Sequence, residues 1–403
     1  METNHNDNDA VILSAVRTPM GRYQGALAGV EATRLGAAAV AAAVERSGVD
    51  PSRIDEVLMG NVVSAGIGQA PARQAALFGG LPDSVPASTI NKVCGSGLKA
   101  CMLGAQAIRA GDADVIVAGG MESMSNAPHL VRARGGLRYG DQPMEDSLLH
   151  DGLLDPFENW VMGMAAEYIA EKYEVTREAM DRWALASHQK AVAATEAGKF
   201  KAEIEPLPVP GKNGKVLVTD DETPRRDTSL EKLAALPPAF KPDGRVTAGN
   251  APGLNDGASA VVLASRRAAA EMGLRPMARV VGYAQAAVPP KELFIAPARA
   301  LPRLLTRLGW RFADVDLVEL NEAFAAQVLA DGYALLEDGW DWDWDKVNVH
   351  GGAIALGHPV GASGARILTT LLYALRDRGL RTGIASLCLG GGEAVAMAVE
   401  LEE

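Results

Sequence analysis

The sequence predicts an α/β fold in which one structural unit occurs twice and a long insert interrupts the first copy. Short apolar runs alternate with helix-length stretches, which favours a parallel sheet covered by helices on both faces. In each half, a turn rich in glycine and serine opens a helix that precedes a strand ending in glycines, at 94–120 and at 361–392. An internal duplication of one α/β unit explains this repetition. The alternation is lost between 124 and about 250, which marks the insert.

In the first half, apolar runs predict buried strands at 10–16, 54–59 and 114–118. Alanine-rich runs predict helices at 35–47, which Gly48 ends, and at 70–78. The apolar residues from Leu98 to Ile108 have helical spacing, so a third helix is predicted to begin directly after Cys94.

The insert is predicted to contain two helices, at 161–172 and 177–197, and a hairpin or extended arm at 201–221. A strand at 258–264 then returns to the first pattern. The second half is predicted to contain strands at 280–283, 317–320, 383–388 and 394–401, and helices at 298–308 and 365–375. These elements divide the chain into an N-terminal α/β half (1–123), an inserted loop domain (124–253), a return to the first half (254–275) and a C-terminal α/β half (276–403).

Composition and charge exclude several classes of function. The chain has 403 residues and a net charge of −11, which disfavours nucleic acid and anionic membrane surfaces as partners. Three cysteines without CxxC spacing predict no disulfide framework and no metal site, but free thiols in a reducing compartment. No apolar run reaches roughly 18 residues, so no transmembrane helix is predicted. The polar, acidic first residues are unlike a signal peptide, which predicts the cytoplasm.

Cys94 is the strongest candidate for a reactive side chain. It lies just before a predicted helix, where unpaired backbone amides and the helix dipole favour a thiolate and lower the cysteine pKa from about 8.5. Glycines on both sides of Ser96 allow another backbone or a substrate to approach closely. The alternative is an ordinary buried cysteine, which is what we predict for Cys101 further along the helix.

Three more candidates lie in the second half. His358 occupies a Gly-His-Pro turn, and Pro359 disfavours helix there and orients the backbone, as a base requires; the alternative is a plain turn. Cys388 ends a strand directly before three glycines within four residues, although a buried strand-end cysteine would look the same. Asn321 follows the strand at 317–320 and could hold a water or a carbonyl, or simply cap the next helix.

Together these segments closely resemble four motifs of the thiolase family, in the same order. The matching segments are 91–97, 321–325, 351–364 and 388–392, and further similarity at 151–153, 162–167, 187–191 and 247–250 extends it over essentially the whole chain. The resemblance implies a layered αβαβα core, duplicated, with an inserted loop domain. It also implies an acyl-CoA:acetyl-CoA C-acyltransferase that acts on short 3-ketoacyl-CoA such as acetoacetyl-CoA, with coenzyme A as substrate or product and no other cofactor.

The resemblance also assigns catalytic roles. Cys94 would be the nucleophile that takes up the acyl group, His358 would remove its proton, and Cys388 would exchange a proton with the α-carbon of the second acyl-CoA. One carbonyl oxygen would be bound by His358 and a water on Asn321. The other would be bound by the backbone amides of Cys94 and Gly390.

Substrate-binding roles follow by the same resemblance. Arg225 maps onto the arginine beside the adenine of CoA, although a solvated basic turn is the alternative reading of this segment. Four further residues map onto positions that line the pantetheine or acyl channel: Met162, Phe240, Ala248 and Phe324.

Three departures from the family pattern affect binding rather than reacting groups. Pro252 replaces a common serine that bonds the pantetheine arm, residues 293–297 replace a Met-Gly-x-Gly-Pro segment of the acyl pocket, and Ala394 replaces a common glycine.

Three alternatives to the short-chain enzyme stay open. One is a broader 3-ketoacyl-CoA thiolase of fatty-acid breakdown. Another is a non-catalytic acyl-CoA-binding protein, since a fold alone does not determine a function. A decarboxylative condensing enzyme would have a second histidine in place of Cys388. The family implies a homodimer or homotetramer, and the arm at 201–221 favours the tetramer.

Overall fold

The computed structural model describes residues 7–137, 139–211 and 214–402. Its strands are β1 (Ala10–Arg17), β2 (Gly21–Arg22), β3 (Glu56–Gly60), β4 (Ala87–Ile90), β5 (Val115–Ser123), β6 (His129–Leu130), β7 (Glu145–Asp146), β8 (Leu154–Asp155), β9 (Trp160–Val161), β10 (Leu207–Gly211), β11 (Gly214–Val218), β12 (Asn255–Ser265), β13 (Ala278–Ala287), β14 (Leu317–Leu320), β15 (Thr382–Leu389) and β16 (Glu393–Leu401). Its helices are α1 (Ala32–Ser47), α2 (Pro71–Phe78), α3 (Ser96–Ala110), α4 (Met162–Lys172), α5 (Arg177–Glu196), α6 (Leu230–Ala234), α7 (Arg266–Glu271), α8 (Pro297–Leu308), α9 (Ala325–Glu337), α10 (Ala353–Leu356) and α11 (Val360–Arg378).

One large sheet carries the duplication. Its strand order is β14-β15-β16-β13-β1-β12-β5-β3-β4, with β2 beside β12. Counted outward from the centre, the strand order is the same in both halves. It is β1-β12-β5-β3 in the first half and β13-β16-β15-β14 in the second. Within the sheet, the halves join where β1 pairs with β13, and the paired residues in the described part of the chain are Val11 with Arg279 and Ile12 with Ala278. The central junction is therefore short, and each half forms its own layer.

The predicted parallel sheet is wrong for part of each half. Among the described strands of this sheet, the parallel pairs are β3 with β4, β3 with β5 and β14 with β15. The strands β12 and β16 run antiparallel to all of their neighbours. For β16 the reason is local, because the short turn after β15 cannot cross over to a parallel position. In the first half the whole insert takes the place of that turn.

Helices and half-sheets alternate as five layers. One core cluster joins α1 and α2 to the outer face of the first half, and another joins α8 and α9 to the outer face of the second. A third cluster places α3 and α11 between the two half-sheets. The layered αβαβα arrangement is thereby confirmed.

Glycines allow α3 and α11 to touch at their first turns. A Cβ atom on Gly97 would lie 2.9 Å from the backbone nitrogen of Ala365, and one on Gly364 would overlap the backbone nitrogen of Leu98. Two predicted bounds shift for the same reason. The segment 361–364 lies inside α11 rather than before it, and β5 continues through Gly120, whose missing side chain makes room for the carbonyl of Gly361.

The insert packs mainly on the second half. Apolar residues of α4 and α5 share the core cluster of α8 and α9. The predicted arm is the antiparallel hairpin β10–β11, and its turn residues 212 and 213 lie outside the described residues. The proposed domain boundaries stay a prediction. Within the described part of the chain, no helix is long and apolar enough to cross a membrane.

Candidate active site

One cavity collects side chains from both halves of the core and from the insert. Its volume is about 240 Å³, and Cys94, His358 and Cys388 all line it. Cys94 precedes α3, His358 precedes α11, and Cys388 is the next-to-last residue of β15. Because α3 and α11 touch at their first turns, the residues just before the two helices face the same space. Three candidate reactive groups from distant parts of the chain thus meet in one place.

The turn that carries Cys94 is tightly held. Ser96 Oγ accepts a hydrogen bond from the Lys92 amide (2.8 Å) and donates one to the Val93 carbonyl (2.6 Å), and Asn91 Oδ1 accepts from the Val93 amide (3.1 Å). Val93 has φ +46°, a left-handed conformation that is strained for a β-branched residue. The hydrogen bonds keep the backbone in this strained turn and so orient the half-buried Cys94.

The expected fall in the pKa of Cys94 is wrong as a net effect. Burial in the apolar cavity raises the pKa of the thiol to about 11, although the backbone amides of Gly390 and of Cys94 itself act in the opposite direction. The helix α3 begins two residues later, at Ser96. Cys94 is therefore a thiol at neutral pH, and a base must take its proton when it reacts.

Two contacts hold His358 in place. The backbone amide of His358 donates to Asn255 Oδ1 (2.9 Å), and Nδ1 of its imidazole lies 2.6 Å from Ser363 Oγ. Ser363 Oγ also bonds the carbonyl oxygen of Pro359 at 2.9 Å, and a carbonyl oxygen can only accept a hydrogen bond. Since the hydroxyl has one proton, we assign it to Pro359, so that Nδ1–H donates to Ser363 and Nε2 keeps a free lone pair.

His358 is neutral at physiological pH. Burial and, secondarily, the positive charge of Arg366 lower the pKa of its imidazole from 6.5 to about 3. A neutral imidazole with an unprotonated Nε2 can accept a proton, so the side chain has the form that a general base needs.

Cys388 is more deeply buried than Cys94, with 1% of its surface exposed. Burial raises the pKa of its thiol well above the ordinary value, and the proximity of Cys94 and Asp331 adds to this. The turn after it uses positive φ angles at Gly391 (+83°) and Gly392 (+88°), which favour glycine. Cys388 therefore enters any reaction as a proton donor before it can act as a base.

Apolar side chains form the walls of the cavity. Met162 and Phe240 come from the insert, and Leu293, Phe294 and Phe324 from the second half. The ring of Phe324 lies edge-on to Phe294 at 5.3 Å and to Phe240 at 6.3 Å between centroids. Pro252 also lines the cavity. Such walls exclude water and suit an acyl chain or a pantetheine arm.

Three predicted site residues are not among those that line this cavity in the described part of the chain. Arg225 is exposed, and its backbone amide donates to His188 Nδ1 at 3.2 Å. Ala248 is also exposed. Asn321 is buried, and neither its Oδ1 nor its Nδ2 has a hydrogen-bond partner among the described residues. It does not cap α9, which begins at Ala325 after an N-cap at Phe324, so the capping alternative is wrong.

Two buried carboxylates that support the site were missed by the sequence analysis. Glu122 accepts hydrogen bonds from the Asn61 side chain and from the amides of Val62, Val63 and Gly361, which joins β5 to the start of α11.

Glu322 accepts from Trp183, Ser187, Asn348 and the Ile354 amide, which joins α5 to the segment before His358. Each carboxylate binds donors from distant segments, so local sequence carried no signal for either network.

Comparison with known families gives a match over nearly the whole chain. The thiolase N-terminal domain matches residues 10–267, and the thiolase C-terminal domain matches residues 274–401.

Individual relatives agree. The chain is 54% identical over 391 residues to an acetyl-CoA acetyltransferase of Pseudomonas aeruginosa, covering 96% of this chain and 98% of that protein. It is 52% identical to one of Cupriavidus necator, covering 97% and 99%. The solved structure of an acetyl-CoA acetyltransferase from Bacillus anthracis superposes with a TM-score of 0.94 at 44% identity, covering 98% of this chain and 99% of that one. The structure of one from Syntrophomonas wolfei superposes with a TM-score of 0.96 at 44% identity, covering 98% and 100%.

Proposed function

Because this chain belongs to the thiolase family of acyltransferases, we propose that it catalyses the reversible thiolysis and condensation of short 3-ketoacyl-CoA, acetoacetyl-CoA above all. The observation that carries the proposal is the meeting of Cys94, His358 and Cys388 in one apolar cavity. Two thiols and a neutral imidazole supply a nucleophile, a base and a second acid/base, which is the set that this two-step reaction requires.

In the first step, Cys94 Sγ attacks the carbonyl carbon of an acyl-CoA, and its proton passes to Nε2 of His358. As the C–S bond to CoA breaks, Cys388 gives its proton to the departing CoA sulfur and becomes a thiolate. The acyl group stays on Cys94, and His358 holds the Cys94 proton. The contact of Nδ1 with Ser363 supports this role, because it leaves Nε2 unprotonated before the attack.

In the second step, the Cys388 thiolate takes a proton from the α-carbon of acetyl-CoA. The resulting carbanion attacks the acyl carbon, so that a C–C bond forms, the C–S bond to Cys94 breaks, and the proton held by His358 is returned to the Cys94 sulfur. Thiolysis is the same sequence in reverse. The high pKa of Cys388 supports a thiol that is protonated between turnovers.

The carbonyl oxygens of the two reacting acyl groups gain negative charge during the reaction. Loss of one hydrogen-bond donor to such an oxygen typically raises the barrier by about 3 kcal/mol. We propose the backbone amides of Cys94 and Gly390 as one pair of donors; both already face the Cys94 sulfur. For the other oxygen we propose His358 and a water held by Asn321. The unpartnered amide of Asn321 supports this role, because a buried amide requires hydrogen-bond partners.

The walls of the cavity support a short acyl group. Phe294 and Phe324 close one side, and a volume of about 240 Å³ leaves little room beside a pantetheine arm. A broader-chain thiolase of fatty-acid breakdown is the second candidate. Comparing kcat/KM for acetoacetyl-CoA with values for longer 3-ketoacyl-CoA separates the two: a steep fall with chain length supports the first, and a flat or rising profile the second.

The binding of CoA is proposed to extend out of the cavity into the insert. Met162 and Phe240 line the cavity, and we propose that Arg225 binds the adenine end of CoA and that Ala248 contacts the pantetheine arm, both from exposed positions outside the cavity lining. We also propose a cytoplasmic homotetramer. Exposed apolar side chains at Val131, Leu137 and Met144, and at Val216 and Leu217 of the hairpin, support association.

The direct test is turnover with purified protein. CoA-dependent loss of the acetoacetyl-CoA enolate absorbance is expected, together with an acyl adduct on Cys94 in peptide mass spectra. Tight CoA binding without turnover or adduct would instead identify a non-catalytic acyl-CoA-binding protein.

A further inference from the structure

Asp331 is a fully buried carboxylate that takes part in none of the proposed steps, although its proximity adds to the raised pKa of Cys388. It lies on α9 and none of its surface is exposed. Its Oδ1 accepts a hydrogen bond from the Ala298 amide (3.1 Å), and its Oδ2 accepts one from Nε2 of Gln327 (2.6 Å). Gln327, also fully buried, accepts in turn from the Ala323 amide through Oε1 (3.1 Å).

This chain of hydrogen bonds joins two walls of the cavity. Ala323 and Phe324 line the cavity directly and precede α9. Ala298 is the second residue of α8, which follows Leu293 and Phe294 on an adjacent wall, where the ring of Phe294 contacts that of Phe324. The Ala296 amide donates to the Leu293 carbonyl (3.3 Å), so the segment between wall and helix is short and internally bonded. A shift at Asp331 would therefore reach both walls.

The polarity of the network requires an acceptor at position 331. Both partners that face Asp331 donate, and the amide oxygen of Gln327 is occupied by Ala323. An asparagine would point its NH2 group at one of the two donors. The start of α8, whose helix dipole favours negative charge, helps to keep the buried carboxylate in place.

We propose that Asp331 is a positioning residue that sets how the Leu293–Phe294 wall packs against the adjacent Ala323–Phe324 wall, and thereby the length of acyl group that the cavity accepts. This inference rests on the proposed thiolase reaction. It predicts that breaking the network changes substrate preference, and not only the amount of active protein.

The test exchanges the carboxylate of Asp331 and the amide of Gln327 between the two positions. Asp331→Asn alone leaves one donor opposed by another, and we expect kcat/KM for a six-carbon 3-ketoacyl-CoA relative to acetoacetyl-CoA to change by about fivefold or more. Adding Gln327→Glu restores every hydrogen bond of the network. The amide at position 331 then accepts from Ala298 and donates to the carboxylate at position 327. That carboxylate also accepts from the Ala323 amide. The ratio should then return to within about twofold of wild type. Glu337→Gln, an exposed change on the same helix, is the matched control and should leave the ratio unchanged.

Hydrogen exchange gives a readout that is independent of turnover. Peptides that contain Ala298 and Ala323 should exchange faster in Asp331→Asn and at the wild-type rate in the double variant. If Asp331→Asn does not fold, Gln327→Met removes the bonds of Gln327 to Ala323 and to Asp331, keeps the bond from Ala298 to Asp331, and should change the ratio in the same direction.

Two results would overturn the inference: an unchanged substrate ratio in both single variants, or a double variant whose exchange recovers while its ratio does not. A wild-type protein without turnover would refute the proposed function instead, and exchange would still decide whether Asp331 joins the two walls.

Discussion

At the scale of single residues, the chemistry depends on what surrounds each reactive group. Cys94 lies near a helix start, yet burial has the larger effect on its pKa. The imidazole of His358 is oriented by Ser363, a residue of the same glycine-rich segment. Both effects can be tested at the residues themselves.

The pH dependence of Cys94 alkylation should report its raised pKa. Only the thiolate reacts, so with a pKa of about 11 the rate should rise about tenfold per pH unit up to pH 10. An ordinary cysteine, with a pKa of about 8.5, would level off above about pH 9.5. The rate is measured with iodoacetamide and peptide mass spectrometry in the absence of CoA. A plateau between pH 5 and 7 would mean that His358 already holds the proton as an ion pair.

Ser363→Ala should lower kcat/KM by roughly ten- to a hundredfold, because Nδ1 of His358 loses the acceptor that selects the reactive tautomer. Steady-state kinetics with acetoacetyl-CoA measures the effect. Ser259→Ala is a suitable control, since it removes another buried hydroxyl, which bonds Val16 and Thr369. Equal losses in both variants would indicate general destabilisation instead.

At the scale of elements, the site depends on the contact between α3 and α11. The two helices bring Cys94 and His358 to one cavity because glycines remove side chains where their first turns meet. The same close packing explains why 361–364 belongs to the helix, although its composition favours a turn.

Gly364→Ala should separate the two helices. The added methyl would overlap Leu98, and we expect unfolding free energy to fall by about 1–3 kcal/mol and kcat/KM by more than tenfold. Urea denaturation and kinetics measure the two effects. Gly29→Ala, where a Cβ meets nothing within 4 Å, should change neither; if it matched Gly364→Ala, close packing would not be the cause.

At the scale of the whole molecule, a buried ionic network fastens the insert to the core. Arg17, at the end of β1, is fully buried and bonds Glu203 (2.5 Å) and, in a bidentate pair, Asp221 (2.6 and 2.9 Å). Both acidic residues belong to the insert, and their charges outweigh burial and raise the pKa of Arg17. The insert is thus held next to the cavity that it helps to line.

Arg17→Met should lower the unfolding free energy by about 3–5 kcal/mol, because it leaves two buried carboxylates without their counter-charge. Arg46→Met, which removes a partly exposed pair with Glu205, should cost less than about 1 kcal/mol. Urea denaturation at neutral pH compares them. Similar losses in both variants would contradict the special weight given to the buried network.

The sequence by itself determined the alternation of elements, the place of the insert, and the candidates Cys94, His358 and Cys388. These follow from apolar periodicity, from turn residues and from short motifs, all of which are local. Asn321 could be selected in the same way, but not separated from a helix cap.

Only the tertiary structure decided the antiparallel course of β12, the raised pKa of Cys94, and the partners of Glu122, Glu322 and Asp331. Each of these depends on groups that are distant in the chain and become neighbours only when the layers pack. Burial and hydrogen bonding are properties of that packing, and no local pattern of residues encodes them.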